Sequence, residues 1–201
     1  ELYGVEASAM MVSRLTARLE EELIGWRARP VEAFCAVLFV DAIFVKVRQP
    51  QGVVASAVYQ VCAYTEAGKL EILGLYMPPE GQSAESASFW HQVFIELEKR
   101  GLKDVLFLCA DGLSGLEDAA RVLWPLVQFQ PCVVHMVRNS TKFVAWQDRA
   151  SLCADLRRIY QAPSLEAAEL ALQQSSRRWA NQYPAIFEQW RSYLPRLEAL
   201  F

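Results

Sequence analysis

Val12, Leu15, Leu19, Leu23 and Trp26 recur at three- and four-residue steps, one stripe of an amphipathic helix. Ser8 precedes them as an N-cap, and Arg29-Pro30 ends the run. The pattern then changes. Cys35 to Val47 is β-branched and aromatic, and apolar on both alternating faces until Lys46 and Arg48. That predicts a central strand covered on both sides. Pro50-Gln51-Gly52 is turn chemistry, Val53 to Tyr64 a second strand, Glu66-Ala67-Gly68 a second turn, and Lys69 to Tyr76 a third strand. The short connections predict an antiparallel meander.

The helical period returns over Ser86 to Arg100, with Phe89, Trp90, Val93, Phe94 and Leu97 on one face and Gly101 as the stop. Asp104 to Ala110 is a short apolar strand that ends at Asp111-Gly112. Leu113 to Trp124 reads as a helix closed by Pro125, and Val127 to Val134 as a fifth strand. From His135 onward the pattern is helical only, over 135–146, 148–161, 164–182 and 184–200, with Asp148, Ser164 and Pro184 as starts. The order predicts an α/β fold: a mixed sheet of three antiparallel strands then αβαβ, helices on its faces, and a C-terminal all-helical part. A right-handed crossover places the fourth strand beside the first, and parallel to it.

The chain has 201 residues, 53% of them hydrophobic and 21% charged, which fits a globular domain and excludes a disordered one. Val37 to Val47 is the most apolar run, but Asp41 interrupts it and it is too short to cross a bilayer. No signal peptide is recognisable, so a cytoplasmic protein is expected. The five cysteines, Cys35, Cys62, Cys109, Cys132 and Cys153, are odd in number and form no CxxC. A disulfide framework and a thiolate-rich zinc site are therefore not expected. Most sit in apolar runs, where a free cysteine acts as a small hydrophobe. Residues 1–137 carry 11 Lys/Arg against 17 Asp/Glu, whereas residues 138–201 carry 9 against 6. The basic C-terminal third either faces phosphates or is an ordinary solvated helical surface.

Asp41 departs from its surroundings. It lies inside a run that reads as buried, where an unpaired carboxylate costs several kcal/mol. Either an arginine or a metal ion compensates it. Asp111 stands where the fourth strand ends, and open α/β sheets gather ligand sites at strand carboxyl ends. Asp111 also has a reading as the N-cap of the next helix. If the two strands are neighbours, roughly 4.8 Å apart, the two acids converge and repel unless a cation lies between them. Oxygen ligands without thiolates suit Mg²⁺ or Mn²⁺, and such a site suits phosphodiester chemistry.

Asp41-Ala42-Ile43-Phe44-Val45-Lys46-Val47-Arg48 resembles the first-acid motif of Mutator-like transposases of bacterial insertion sequences. Gly74-Leu75-Tyr76, Phe89-Trp90, Arg100-Gly101-Leu102-Lys103-Asp104-Val105 and Asp111-Gly112-Leu113-Ser114-Gly115 are similar to that family too. Gln130-Pro131-Cys132-Val133-Val134-His135-Met136-Val137-Arg138-Asn139-Ser140 resembles its Cys-x-x-His segment. The similarity covers nearly the whole chain, in the family's order and spacing. It implies an RNase H-like core at 31–137 with an Asp-Asp-Glu triad, in which Asp41 and Asp111 match the first two acids. It implies Mg²⁺ or Mn²⁺ as cofactor. The partners implied are double-stranded DNA at terminal repeats and target DNA, bound by a homodimer or higher oligomer.

The same resemblance makes 138–201 a helical insertion, with the Thr-Thr-Asn-x-x-Glu-like motif of the third acid not reached. Glu166, Glu169, Glu188 and Glu198 stand in the wrong context for it. On that expectation, the polypeptide lacks full strand-transfer activity by itself. Tyr3-Gly4-Val5 and the helix after Ser8 resemble the end of a DNA-binding region at 1–30, where Arg14 and Arg18 either contact DNA or lie on a packing helix. His135, Arg138 and Lys142 are candidate DNA contacts beside the active site. His135 alternatively caps a strand–helix junction. Cys132 belongs to the same segment. Trp90 and Trp124 fit core stripes, whereas Trp146, Trp179 and Trp190 either pack or stack on flipped bases.

Two other readings remain. One is a non-catalytic DNA-binding or assembly module. The other is a small-molecule α/β domain, which the absence of GxGxxG and Walker-type loops disfavours.

Overall fold

The Ser8 hydroxyl accepts the Met11 N–H at 3.1 Å and opens helix α1, Ala9–Ala28. The computed structural model describes residues 8–49, 52–79 and 86–201. Tyr3-Gly4-Val5 and the Pro50-Gln51 part of the expected turn lie outside the described residues. Val12, Leu15, Leu19 and Leu23 form the predicted stripe, but all four are exposed and α1 buries none of its residues.

The sheet contains β1 (Phe34–Gln49), β2 (Gly52–Tyr64), β3 (Leu70–Tyr76), β4 (Asp104–Ala110) and β5 (Gln128–Pro131), in the order β3-β2-β1-β4-β5. The first three are antiparallel neighbours. β4 lies parallel to β1 and β5 parallel to β4, as the crossover rule requires. Helix α2 (Ala87–Lys99) makes that crossover. Its Phe89, Trp90, Val93, Phe94 and Leu97 are buried with Leu38, Val40, Val61, Leu108 and Ala110. Burial of side chains this large contributes roughly 1.5–3 kcal/mol each. The Trp90 ring meets Tyr59 at 4.9 Å, and Phe94 meets Trp124 at 5.1 Å. Arg100 ties three elements together. Its Nε donates to Arg29 O at 2.9 Å and its Nη1 to Leu73 O at 2.8 Å.

Three expectations about the sheet and its connections need correction. The first is that β1 is covered on both sides. β4 accompanies it only from Phe34 to Val40, and beyond Ala42, the partner of Tyr59, it pairs with β2 alone as a two-stranded ribbon. Ile43, Phe44 and Val45 there are exposed. Among the described residues, helices cover one face of the sheet; on the other, Tyr64, Leu70 and Ile72 are exposed. The second concerns helix α3, which runs over Leu116–Leu123 and starts later than Leu113. Gly115, at φ 74°, is its N-cap, and a Cβ there would meet Ala87 N at 2.5 Å. Asp111 is therefore not the N-cap. The third is that β5 stops at Pro131 and the chain is helical from Val133. The Cys132 N–H donates to Ala110 O at 2.9 Å and turns the chain there.

Helices α4 (Val133–Thr141), α5 (Trp146–Tyr160), α6 (Leu165–Trp179) and α7 (Pro184–Tyr193) follow, then a 3₁₀ helix, Leu194–Leu200. Ser164 caps α6 as expected, whereas Asp148 lies within the first turn of α5. Pro195 keeps α7 from reaching the predicted end near residue 200. A second core gathers Met136, Leu152, Leu156, Ile159, Phe187 and Leu197. Trp179 and Trp190 are buried in it, and their indole N–H groups donate to Asp155 at 2.7 Å and to Ser140 at 2.8 Å. Trp146, by contrast, is 85% exposed. The 3₁₀ helix returns to the sheet, where Arg196 lies 4.7 Å from the centre of the Phe129 ring and pairs with Glu117.

Candidate active site

Val40 and Ala110 are the last residues that pair between parallel β1 and β4. Asp41 and Asp111 are the next residue on each chain. Strand register therefore brings the two predicted acids to one place, the carboxyl end of β4. Their local settings differ. β1 continues through Asp41, which faces Gln60 of β2 across the antiparallel ladder. Asp111 has left β4 and starts the loop to α3.

Each carboxylate is anchored by its own backbone. Asp41 Oδ1 accepts the Ala42 N–H at 2.8 Å, and Asp111 Oδ1 accepts the Gly112 N–H at 3.2 Å. The Asp41 side chain is 61% exposed, so the expected burial is wrong. Its carboxylate needs no compensating partner, because β1 outruns β4 at this residue and solvent reaches it. Among the described residues no arginine or lysine pairs with it. Its one ion-pair contact there is His135 Nε2 at 3.6 Å.

The Asp41 side chain opens into a cleft of about 370 Å³. Gln60 and Cys62 of β2, Cys109 of β4, and Cys132 and His135 around the start of α4 form its walls. Asp111 is not part of that lining. His135 sits in the first turn of α4, with its Nδ1 buried and unpartnered among the described residues. Arg138 and Lys142 follow it at three- and four-residue steps, so the three share one helix face. Both are exposed, and Lys142 Nζ lies 5.6 Å from the centre of the Phe143 ring. Arg14 and Arg18 stand on exposed α1 and do not line the cleft; Arg18 pairs with Glu22 at 3.4 Å.

Sequence reasoning missed Cys109. It stands on β4 two residues before Asp111 and lines the Asp41 cleft, a position that its apolar context hid. Cys109 and Cys132 both line the cleft, and their ionisations separate. The contact with Cys132, then burial, pushes Cys109 up. Cys132 is pulled down to about 5, first by the Cys109 thiol and then by His135, against the effect of burial. Among the described residues, no three His, Cys, Asp or Glu side chains form a set that would hold a metal ion. Asp41 and Asp111 suit a hard cation of another kind. A Mg²⁺ ion keeps several waters and binds through one or two carboxylates plus substrate phosphates. Asp41 on β1 and Asp111 just past the end of β4 offer two oxygen donors of that kind. Among the described residues, no helix is long and apolar enough to cross a membrane.

The profile of the family described as "Transposase, Mutator family" matches residues 1–197. The chain is 38% identical over 192 residues to the transposase for insertion sequence element ISRM3 of Rhizobium meliloti, a match over 95% of the chain and 47% of the relative. It is similar, again at 38% over 192 residues and with the same coverage, to a probable transposase for an ISRM3-like element of Sinorhizobium fredii. A probable insertion-sequence transposase of Corynebacterium diphtheriae is 34% identical over 189 residues, 94% of the chain and 54% of the relative. The chain spans about half the length of these curated relatives.

Proposed function

The chain belongs to the Mutator family of transposases, and on that premise we propose that its sheet is an RNase H-like core that cuts and joins DNA at insertion-sequence ends. The observation that carries this reading is the placement of Asp41 and Asp111 one residue past the last β1–β4 pair. In this reading both carboxylates hold Mg²⁺ or Mn²⁺. When bound, such ions supply Lewis-acid activation of a water or 3′-hydroxyl and charge stabilisation for the leaving oxygen.

The chain's own residues have separate tasks. The Ala42 and Gly112 amides orient the two carboxylates. His135 holds Asp41 from the opposite wall of the cleft. The exposed face of Arg138 and Lys142 leads phosphates toward the acids. Arg14 and Arg18 give α1 a second basic surface for duplex DNA. A third carboxylate from outside the described residues completes the acid set, and DNA ends are brought together by a dimer or higher oligomer.

Titration of Mn²⁺, followed by electron paramagnetic resonance, tests the reading. Asp41→Asn and Asp111→Asn should each weaken binding at least about tenfold, the loss typical for a disturbed metal site. Equal binding by wild type and both variants would refute it. A second reading, a module that binds DNA without cutting it, is favoured by the lack of a three-ligand set among the described residues. It requires DNA binding that is indifferent to Mn²⁺ and to both substitutions.

A further inference from the structure

Helix α1 is 20 residues long, about 30 Å, and buries none of them. Val12, Leu15, Leu19 and Leu23 each leave half or more of their surface exposed. Trp26, next on the stripe, is partly covered by the Arg29 guanidinium, 4.6 Å from its ring centre. A helix of this length is marginal in water until its apolar face is packed. The stripe has a symmetry that points to a partner. Leu15 and Leu23 stand four residues either side of Leu19, and Val12 and Trp26 seven. At about 100° per residue, these five side chains fall within about 80° of one another. A pattern that reads the same in both directions from Leu19 matches itself when a second copy runs antiparallel, the isologous contact of a two-fold axis. Charge selects the same direction. Residues 9–19 hold Arg14 and Arg18 and no acid, and Glu20, Glu21 and Glu22 follow Leu19. A parallel pair would set three glutamates against three glutamates, whereas an antiparallel pair sets them against the arginine half. The helix dipoles also oppose each other in the antiparallel pair.

We propose that α1 is a homodimerisation surface, on which two copies of the chain pair their α1 helices antiparallel about Leu19. Leu19 packs on the partner's Leu19, Leu15 on the partner's Leu23, and Val12 on the partner's Trp26. Arg18 pairs with Glu22 of its own helix at 3.4 Å, at the edge of the stripe, and there comes within reach of the partner's Glu22 as well. Arg14 is turned about 140° from Leu19, so the seam leaves it open to DNA. α1 joins β1 through residues 29–33 at its C-terminal end. The antiparallel pair therefore sets the two sheets at opposite ends of a seam about 30 Å long. One helix pair is at the small end of specific interfaces, which fits a weak, micromolar association. The pairing involves neither a metal nor the two acids and does not rest on the proposed chemistry. It gives a surface to the assembly invoked there.

Sedimentation equilibrium of the whole chain, without DNA or metal, tests the proposal. A monomer–dimer equilibrium is expected across the micromolar range. Leu19→Glu, which sets two carboxylates on the axis, should weaken it at least about tenfold. Because α1 buries nothing, that variant should keep native circular dichroism. The same dimer should form in Asp41→Asn, which separates this inference from the metal reading. A photo-crosslinking side chain in place of Val12 reports the direction of pairing. It should attach near the partner's Trp26, in the tryptic peptide between Arg18 and Arg27. Trp26 of its own helix is about 20 Å away and out of its reach. A monomer at every concentration, a dimer that Leu19→Glu leaves unchanged, or attachment to residue 12 of the partner or to the chain's own core would overturn the proposal.

Discussion

His135 Nε2 stands 3.6 Å from Asp41 Oδ1 and bridges α4 to β1 at the mouth of the cleft. The two residues are distant in sequence, and β5 and the turn at Cys132 bring them together. Because the Asp41 side chain is largely exposed, the contact contributes little to stability. His135→Gln should shift the urea midpoint by less than about 1 kcal/mol of stability. A loss of about 3 kcal/mol would make the contact a structural one and weaken its placement in a functional site.

Arg138 and Lys142 sit on the exposed face that continues from His135. If they contact DNA phosphates, each accounts for one released counterion. Arg138→Ala and Lys142→Ala should each reduce the slope of log affinity against log salt by about 1, measured by fluorescence anisotropy on duplex DNA. An unchanged slope would leave their face as plain solvated surface.

Gly115 holds two constraints together. Its φ is 74°, and a Cβ would strike the Ala87 backbone at 2.5 Å. Neither the α3 start nor the α2 start can shift freely, because Leu116 and Phe89 are both buried in the core that joins them. Gly115→Ala should cost about 2 kcal/mol or more, read from thermal unfolding. A neutral result would mean that the two helix starts separate easily.

Cys35 links pH to folding. Burial is the main reason that its thiol is raised from 9.0 to about 12. The unfolded chain ionises first, so the neutral thiol stabilises the fold fully below pH 9, and that contribution is lost as pH rises toward 12. Cys35→Ala should flatten the stability profile in this alkaline window, measured by urea unfolding. An identical slope in both proteins would remove Cys35 as its source.

Much of the fold was legible because local pattern and packing agree. The α2 stripe from Phe89 to Leu97 is the buried face, Ser8 and Ser164 cap as read, and β4 runs from Asp104 to Ala110. The misreadings have non-local causes. Val133 and Val134 extend an apolar run, yet the Cys132–Ala110 hydrogen bond ends the strand before them, and Met136 turns to the second core. Asp41 is surrounded by apolar residues in sequence, but its exposure depends on β4 stopping opposite Val40, which β1 does not encode. That Asp41 and Asp111 come to one end of neighbouring strands, and that Cys132 and His135 lie beside Asp41, was legible from residue type and position. Cys109 was not, because its place in the cleft wall beside Cys132 depends on the β4–β5 pairing.

The most direct measurement is an anomalous difference map from crystals of this chain grown or soaked in Mn²⁺. The expected result is a peak bridged by the carboxylates of Asp41 and Asp111, absent from Asp41→Asn crystals. Peaks only elsewhere, or a peak that persists without Asp41, would contradict the assignment of these two residues as the metal-binding pair.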